Sequence, residues 1–497
     1  MSNWPLLSIL IWLPIIGGLV VLLFKEYQTR WMALMVSSLQ LGSALSLYKN
    51  YLTTGPAFQF VEQHPWITQL SVGYNLGVDG IAVVLIVLTC LVIPLALLVG
   101  WKDPSYKKLA CAFLFFEGTT IGLFSATNAL LFYIFFEASL LPLFFIIGIW
   151  GSEKRFNAAT KFFIFNFFGS LCLLSGLAFL YSKSGSLEFH DLYALSLTPR
   201  EQAFLFFVFL LAFAVKIPML PFHTWLTQAH RQASVPGSLL IAIKVGGYGL
   251  LRFNLLIVPD ACVTYSGWMI GLSLCAVVYA SITAMTEKNF KSVLAYSSVA
   301  QMGLVTLGLF SAAPLIRVVG NFDAAHLAIE GSITQMISNT LVSAALFAGY
   351  AMVTRRVTAQ YLSEFGGLAT LFPKLAGCVL LFSMANCGLP GTSGFIGEFM
   401  VIVASFQLYP VWALIAGILL VSGAAYSLWP YRQMYWGHLA PSSTIISPKQ
   451  ALDSREVVIL AIFASSILIL GFYPRLLSDI MEPSVGQIVT LMTSSKY

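Results

Sequence analysis

Charge is what this chain has least of: only 9% of its 497 residues are Asp, Glu, Lys or Arg, against about 25% in a soluble protein. So little charge excludes a water-solvated globule, and a 58% hydrophobic content with mean hydropathy of +0.86 points to an integral membrane protein. The net charge of +6 is spread over loops, with no basic run dense enough for nucleic acid. Cysteine is scarce in any useful pattern. Cys90, Cys111, Cys172, Cys262, Cys275, Cys378 and Cys387 form no C-x-x-C pair, so they read as soft packing residues rather than iron–sulfur or zinc ligands. His64, His190, His223, His230, His326 and His438 are equally dispersed; only His223 and His230 share a neighbourhood, which is too little for a metal. Motifs for flavin, pyridine nucleotide or haem are missing, so a redox centre in this chain is not expected.

What the chain does have is long apolar runs. Fourteen stretches of about 20 residues suit a bilayer crossing; they begin near Trp4, Trp31, Ile81, Leu109, Ala129, Lys161, Ala203, Gly237, Thr264, Ser292, Gly331, Thr370, Phe399 and Val457. The first lacks a basic leader and a small-residue cleavage site, so it is expected to remain as a helix. Polar inserts from about Lys49 to Gly80 and from Tyr181 to Glu201 are the longest interruptions. Seventeen Lys and Arg fall in odd-numbered loops and seven in even-numbered loops and the C-terminal tail. The positive-inside rule therefore places both termini on the intermembrane-space or periplasmic side. The fold class expected is an all-α polytopic membrane protein of about fourteen transmembrane helices.

Five ionisable residues fall within the apolar runs: Glu117, Glu137, Lys216, Lys244 and Glu398. Each costs about 2.5–3.5 kcal/mol at the centre of a span, which argues for a use. Helix-gluing ion pairs, or side chains snorkelling from helix ends, are the bland alternatives, most open for Glu117 near its span's start. In "LLAFAVKIPMLPFHTWL" (210–226), Pro218 and Pro221 break the helix beside Lys216. A broken helix at membrane depth survives only where it is buried or lines a watery cavity. A lysine there, facing Glu137, can exchange a proton as the pair opens or closes. A second interruption, "CGLPGTSGFIGEF", precedes Glu398 five spans later. Matched breaks in two halves suggest inverted five-helix repeats. The division expected is residues 1–108 for three N-terminal helices, 109–260 for helices four to eight, 261–430 for helices nine to thirteen, and 431–497 for a loop and helix fourteen.

In their order, "FFEASLLPLFFIIGIWG", "AFAVKIPMLPFHTWL", "YGLLRF", "LAYSSVAQMGLVTLG", "LPGTSGFIGEF", "GAAYSLW" and "FYPRLL" resemble the chain 4 (subunit M) family of antiporter-like membrane subunits of respiratory complex I, NADH:ubiquinone oxidoreductase. The details are closest in kind to its mitochondrial and alphaproteobacterial branch. The resemblance implies a proton-translocating subunit that holds no cofactor itself, with NADH, FMN, iron–sulfur clusters and ubiquinone handled by other subunits. It implies the mitochondrial inner membrane, or a bacterial plasma membrane, and neighbouring antiporter-like subunits of the chain 2 and chain 5 kinds as partners. By motif, Glu137 pairs with Lys216, Lys244 is the central lysine of the hydrophilic axis, Glu398 holds the exit position, and Glu117 matches an acidic position of part of the family.

There are departures. The family's "WLPDAH" is Trp225-Leu226-Thr227-Gln228-Ala229-His230, two histidine positions are Gln301 and Asn339, and "APTAGS" is Ala233 to Ser238. Amides orient water but do not titrate near neutrality as histidine does. Ordered water beside Gln301 and Asn339, bridging Lys244 toward Glu398, is the expected substitute, with His223 and His230 as auxiliary groups. The residues alone leave open an Mrp-type cation/proton antiporter subunit, a structural membrane-arm subunit with an impaired channel, and a ferredoxin-fed relative.

Overall fold

The computed structural model describes residues 5–67, 72–359, 361–438, 444–445 and 452–496; Trp4 lies outside them. Ten helices among the described residues are long and apolar enough to cross a bilayer: Gly80–Gly100, Tyr106–Ser125, Ala129–Trp150, Arg155–Ser184, Val235–Leu255, Ser266–Thr286, Phe290–Val319, Phe322–Thr354, Pro410–Tyr435 and Ser454–Phe472. They are spans three to six, eight to eleven, thirteen and fourteen. Leu6–Val21 and Glu26–Asn50 make spans one and two. Spans seven and twelve are broken, into Pro199–Lys216 with Thr224–Gln232, and Pro373–Asn386 with Ser393–Leu408. The thirteenth span was expected to start near Phe399. That residue belongs instead to the second half of span twelve, because the apolar text runs on unbroken to Leu408 and only Pro410 restarts a helix.

Local chemistry fixes where the spans start. Asp79, Asn128, Asn289 and Asn321 each accept a backbone N–H of the first turn they precede, at 2.9, 2.9, 3.0 and 3.0 Å. Even-numbered loops gather at one end of the bundle. There the first polar insert forms a hairpin, Gln59–Ile67 against Val72–Val78, which sequence periodicity did not separate from loop. Glu62 of that hairpin accepts the Leu7 N–H at 2.8 Å and so caps span one. An amphipathic helix, Arg475–Thr493, follows span fourteen, where only a tail was expected. It packs on spans three and eleven and returns the C-terminal residues to this end. Ser495 and Lys496 bind Asp260, and Leu197 donates to the Lys496 carbonyl at 2.9 Å. Odd-numbered loops meet at the other end, where Arg356 and Glu456 form a buried ion pair at 2.5 Å and Lys102 meets Asp453 at 2.7 Å. Spans four and nine therefore set out from opposite ends, and in each set of five the fourth helix is broken by a proline-containing turn.

Candidate proton-translocation site

Lys216 is the last residue of its half-helix, so its ammonium sits at the negative end of the helix dipole. The turn that follows leaves carbonyls without helical partners. Trp225 Nε1 donates to the Val215 carbonyl at 2.9 Å and the Met219 N–H to Ala214 at 2.8 Å, which stabilises the break. Span eight lies flat against it: a Cβ on Gly246 would stand 2.7 Å from the Ile217 nitrogen and 2.9 Å from Lys216 Cβ. Opposite runs span five, which stays helical through Ser139, whose N–H bonds the Phe135 carbonyl at 3.0 Å. Lys216 Nζ donates to Ser139 Oγ at 3.4 Å and lies 4.6 Å from the Phe136 ring centre. Glu137 is within electrostatic reach of Lys216, yet no ion pair within 4.0 Å joins them among the described residues, and Glu137 Oε1 is buried without a hydrogen bond. The expected pair shares one site in an open arrangement.

Lys244 lies in a third break, which neither proline nor composition announced. Span eight is helical over Val235–Ile241, loses its pattern at 242–245, and resumes at Gly246, passing into a π-helical turn, Leu250–Leu255. Thr340 Oγ1 of span eleven donates to the freed Ala242 carbonyl at 3.1 Å. Lys244 is 3% exposed, so it faces protein rather than lipid. His230, 1% exposed, stacks on Phe347 at 4.7 Å and feels both Lys244 and Lys291. Lys291 donates to the Ala233 carbonyl at 2.8 Å and lines a cavity of about 590 Å³ at the odd-loop end, beside Gln228, Arg231 and Asn289. His223 is wedged between the rings of Tyr279 and Tyr296, at 5.4 and 6.1 Å, with neither nitrogen hydrogen-bonded among the described residues.

Glu398 lies just past the break of span twelve and is 2% exposed. Gln335 Nε2 donates to one carboxylate oxygen at 3.2 Å. The other rests against Gly388, whose φ of 72° and absent side chain make room: a Cβ there would be 2.3 Å from it. Between Lys244 and Glu398 the two amides that stand at the family's histidine positions are hydrogen-bonded to side chains. Asn339 Nδ2 donates to Ser298 Oγ at 3.2 Å and its Oδ1 accepts from Ser343 Oγ at 3.1 Å. Gln301 Nε2 donates to the carbonyl and Oδ1 of Asn386 at 3.1 and 3.2 Å.

Glu117 stands apart. It is fully buried well inside span four, not near the start of it, so snorkelling is excluded, and the Cys90 thiol is its polar neighbour. Sequence reasoning also missed the pair between Asp79 and Arg252, joined at 2.6 Å with both side chains 5% exposed. The π-helical turn keeps Arg252 inside span eight rather than in the even loop that follows, under Phe58 and Tyr248. The signal available was Asp79 itself, an N-cap directly before "GIAVVL".

Residues 126–422 match the family described as NADH:quinone oxidoreductase/Mrp antiporter, transmembrane. Subunit M of the NADH-quinone oxidoreductase of Rhodobacter capsulatus is 37% identical, over 97% of this chain and 96% of that one. Chain 4 of the NADH-ubiquinone oxidoreductase of Arabidopsis thaliana is 36% identical, over 97% of each. Among solved structures, a chain of respiratory complex I from Thermus thermophilus with bound NADH superposes with a TM-score of 0.88 at 26% identity, covering 98% of this chain and all of that one. A chain of the Mrp complex from Dietzia shares the fold, with a TM-score of 0.81 at 19% identity over 99% of this chain and 52% of that one. The identity and the near-complete mutual coverage decide the branch: this chain belongs to the NADH:quinone oxidoreductase/Mrp antiporter family, as a subunit M (chain 4) of the quinone oxidoreductase.

Proposed function

We propose that this membrane-arm subunit of NADH:quinone oxidoreductase moves protons along a buried axis that runs from Glu137 and Lys216 through Lys244 to Glu398. The observation that carries this assignment is the coincidence of charge and helix break. Spans seven and eight are interrupted at Lys216 and Lys244, and span twelve ahead of Glu398, while Glu137 faces the first of these breaks from span five. Interruptions expose carbonyls and N–H groups that can hold water and stabilise a moving charge. Lys216 and Glu137, close but unpaired, form a switch: closing the pair favours ammonium and carboxylate, and opening it releases the lysine's proton onward. The cavity at Lys291, with His230 beside it, offers protons a way to Lys244 from the odd-loop end. The chain's own contribution is binding and passing protons; the redox chemistry belongs to other subunits, which carry NADH, FMN, iron–sulfur clusters and ubiquinone. Its neighbours are antiporter-like subunits of the chain 2 and chain 5 kinds. The odd-loop end faces the matrix or cytoplasm, in a mitochondrial inner or bacterial plasma membrane, with the even loops and both termini opposite. Residues 109–260 and 261–430 are the two inverted halves, after 1–108 and before 431–497. Glu117 is an auxiliary proton store.

Replacing Lys244 by Ala and Glu137 by Gln in the intact complex tests the axis. Both should lower proton uptake in reconstituted liposomes while NADH oxidation by an artificial acceptor, which bypasses the membrane arm, stays at the wild-type rate. Wild-type proton uptake in both assembled variants would refute it.

A further inference from the structure

Asn386 is the last residue of the first half of broken span twelve and is 3% exposed. Its side chain is the meeting point of three helices. Nδ2 donates to Ser297 Oγ of span ten at 3.0 Å and to Ser427 Oγ of span thirteen at 2.7 Å. Oδ1 accepts from Gln301 Nε2 at 3.2 Å, and Ser297 Oγ lies 3.2 Å from it. The Asn386 carbonyl, left free by the helix break, takes a second bond from Gln301 Nε2 at 3.1 Å. Two steps along the chain lies Gly388, against which the Glu398 carboxylate rests. Next to Ser427 is Tyr426, 1% exposed, whose hydroxyl is in the field of Glu398 and beside Ser297. On the other side, Ser298, the neighbour of Ser297, accepts from Asn339 Nδ2. Two hydrogen-bonded sets, Asn339 with Ser298 and Asn386 with Ser297, Gln301 and Ser427, meet at the adjacent residues Ser297 and Ser298 and extend toward the Glu398 site. None of these groups carries charge at neutral pH, so transfer through them depends on orientation: each hydroxyl or bridging water must have one acceptor and one donor correctly aimed. A side-chain amide fixes both directions at once, because its oxygen only accepts and its nitrogen only donates.

We propose that Asn386 is a positioning residue of the proton path, holding Gln301, Ser297 and Ser427 in the one hydrogen-bond polarity that lets protons pass between Lys244 and Glu398. It supplies by geometry the ordering that a titratable ring would otherwise supply by changing charge. The inference rests on the proton axis proposed above. Three variants of the intact complex test it: Asn386→Leu, Asn386→Asp and, for comparison, Lys216→Met. Asn386→Leu keeps the volume and removes the amide; proton translocation should fall about tenfold, the rate equivalent of one buried hydrogen bond. Adding Gln301→His to Asn386→Leu should restore most of it, since imidazole can carry the proton without an aimed amide. Asn386→Asp keeps the shape but introduces a titratable group, and should add a pH-dependent limb to the pumping rate that the wild type does not have. If Asn386→Leu does not assemble, this pH limb decides alone. Wild-type pumping by Asn386→Leu, or an Asn386→Asp profile identical to wild type, would overturn the inference. Loss of pumping in Lys216→Met alongside either result would leave the axis standing and remove only Asn386 from it.

Discussion

Lys216 ends one half-helix and Lys244 sits in the gap of another span, so both lysines stand where the helical hydrogen-bond ladder is interrupted. Glu398 instead occupies a space that exists because Gly388 has no side chain. Placing Ala at 388 would push against the carboxylate and force a left-handed φ on a residue that disfavours it, at a cost of about 1–2 kcal/mol. Gly388→Ala should therefore slow proton uptake more than it lowers assembly, measured as vesicle acidification per amount of intact complex. Asp260 makes a different prediction, outside the spans. Burial would raise its carboxyl pKa, but hydrogen bonds from Gln202 and the Lys496 N–H, with the Arg317 guanidinium, hold it below its usual 3.8. A depressed folded-state value means the clasp contributes in full above pH 3.8 and is lost as pH falls through the lowered value. Amide exchange at residues 494–496 should stay slow from neutral pH down to that point. Asp260→Asn should speed it at neutral pH, by an amount corresponding to about 1–3 kcal/mol.

At the scale of the helix, the breaks had unequal signatures. Pro218 and Pro221 announced the interruption of span seven, and Gly388 with Pro390 and Gly391 that of span twelve. The gap at Lys244 was hidden because Ala242, Ile243 and Val245 are ordinary apolar residues; the Thr340 hydroxyl of span eleven reaches the Ala242 carbonyl there, shared with the Met336 carbonyl of its own helix. Thr340→Val keeps the shape and removes that hydroxyl. It should perturb exchange at 242–246 and reduce pumping without altering helix content by circular dichroism. The hairpin Gln59–Ile67 with Val72–Val78 was hidden for another reason: His64, Pro65 and Asn75 interrupt any alternation of apolar and polar residues. The amphipathic helix Arg475–Thr493 escaped because its apolar face is a stripe rather than a continuous run. Close approach also constrains the elements: Gly246→Val would drive span eight off the break at Lys216, and overpacking of this kind costs about 1–3 kcal/mol. Reduced assembly, with pumping lost in the fraction that assembles, is the expected outcome on native gels and in liposomes.

Across the whole molecule, the membrane class and the set of crossings were legible because burying charge in lipid is costly enough to leave a mark on composition, and the same cost singles out the four charges of the proposed axis. Which buried polar groups cluster beside the broken half of span twelve was not legible. Serine and threonine are common in membrane helices, and only the packing of spans ten, eleven, twelve and thirteen brings Ser297, Asn339, Asn386 and Ser427 to their partners. In the proposed axis the charges dominate, since an open Lys216–Glu137 site would drive it only if the lysine gains and loses a proton each cycle. Lys216→Met retains the length of the side chain and removes that capacity. The decisive measurement is the ratio of protons translocated to NADH oxidised in liposomes holding the assembled Lys216→Met complex. The axis predicts a ratio clearly below wild type together with slowed quinone reduction; a wild-type ratio at wild-type turnover would contradict it.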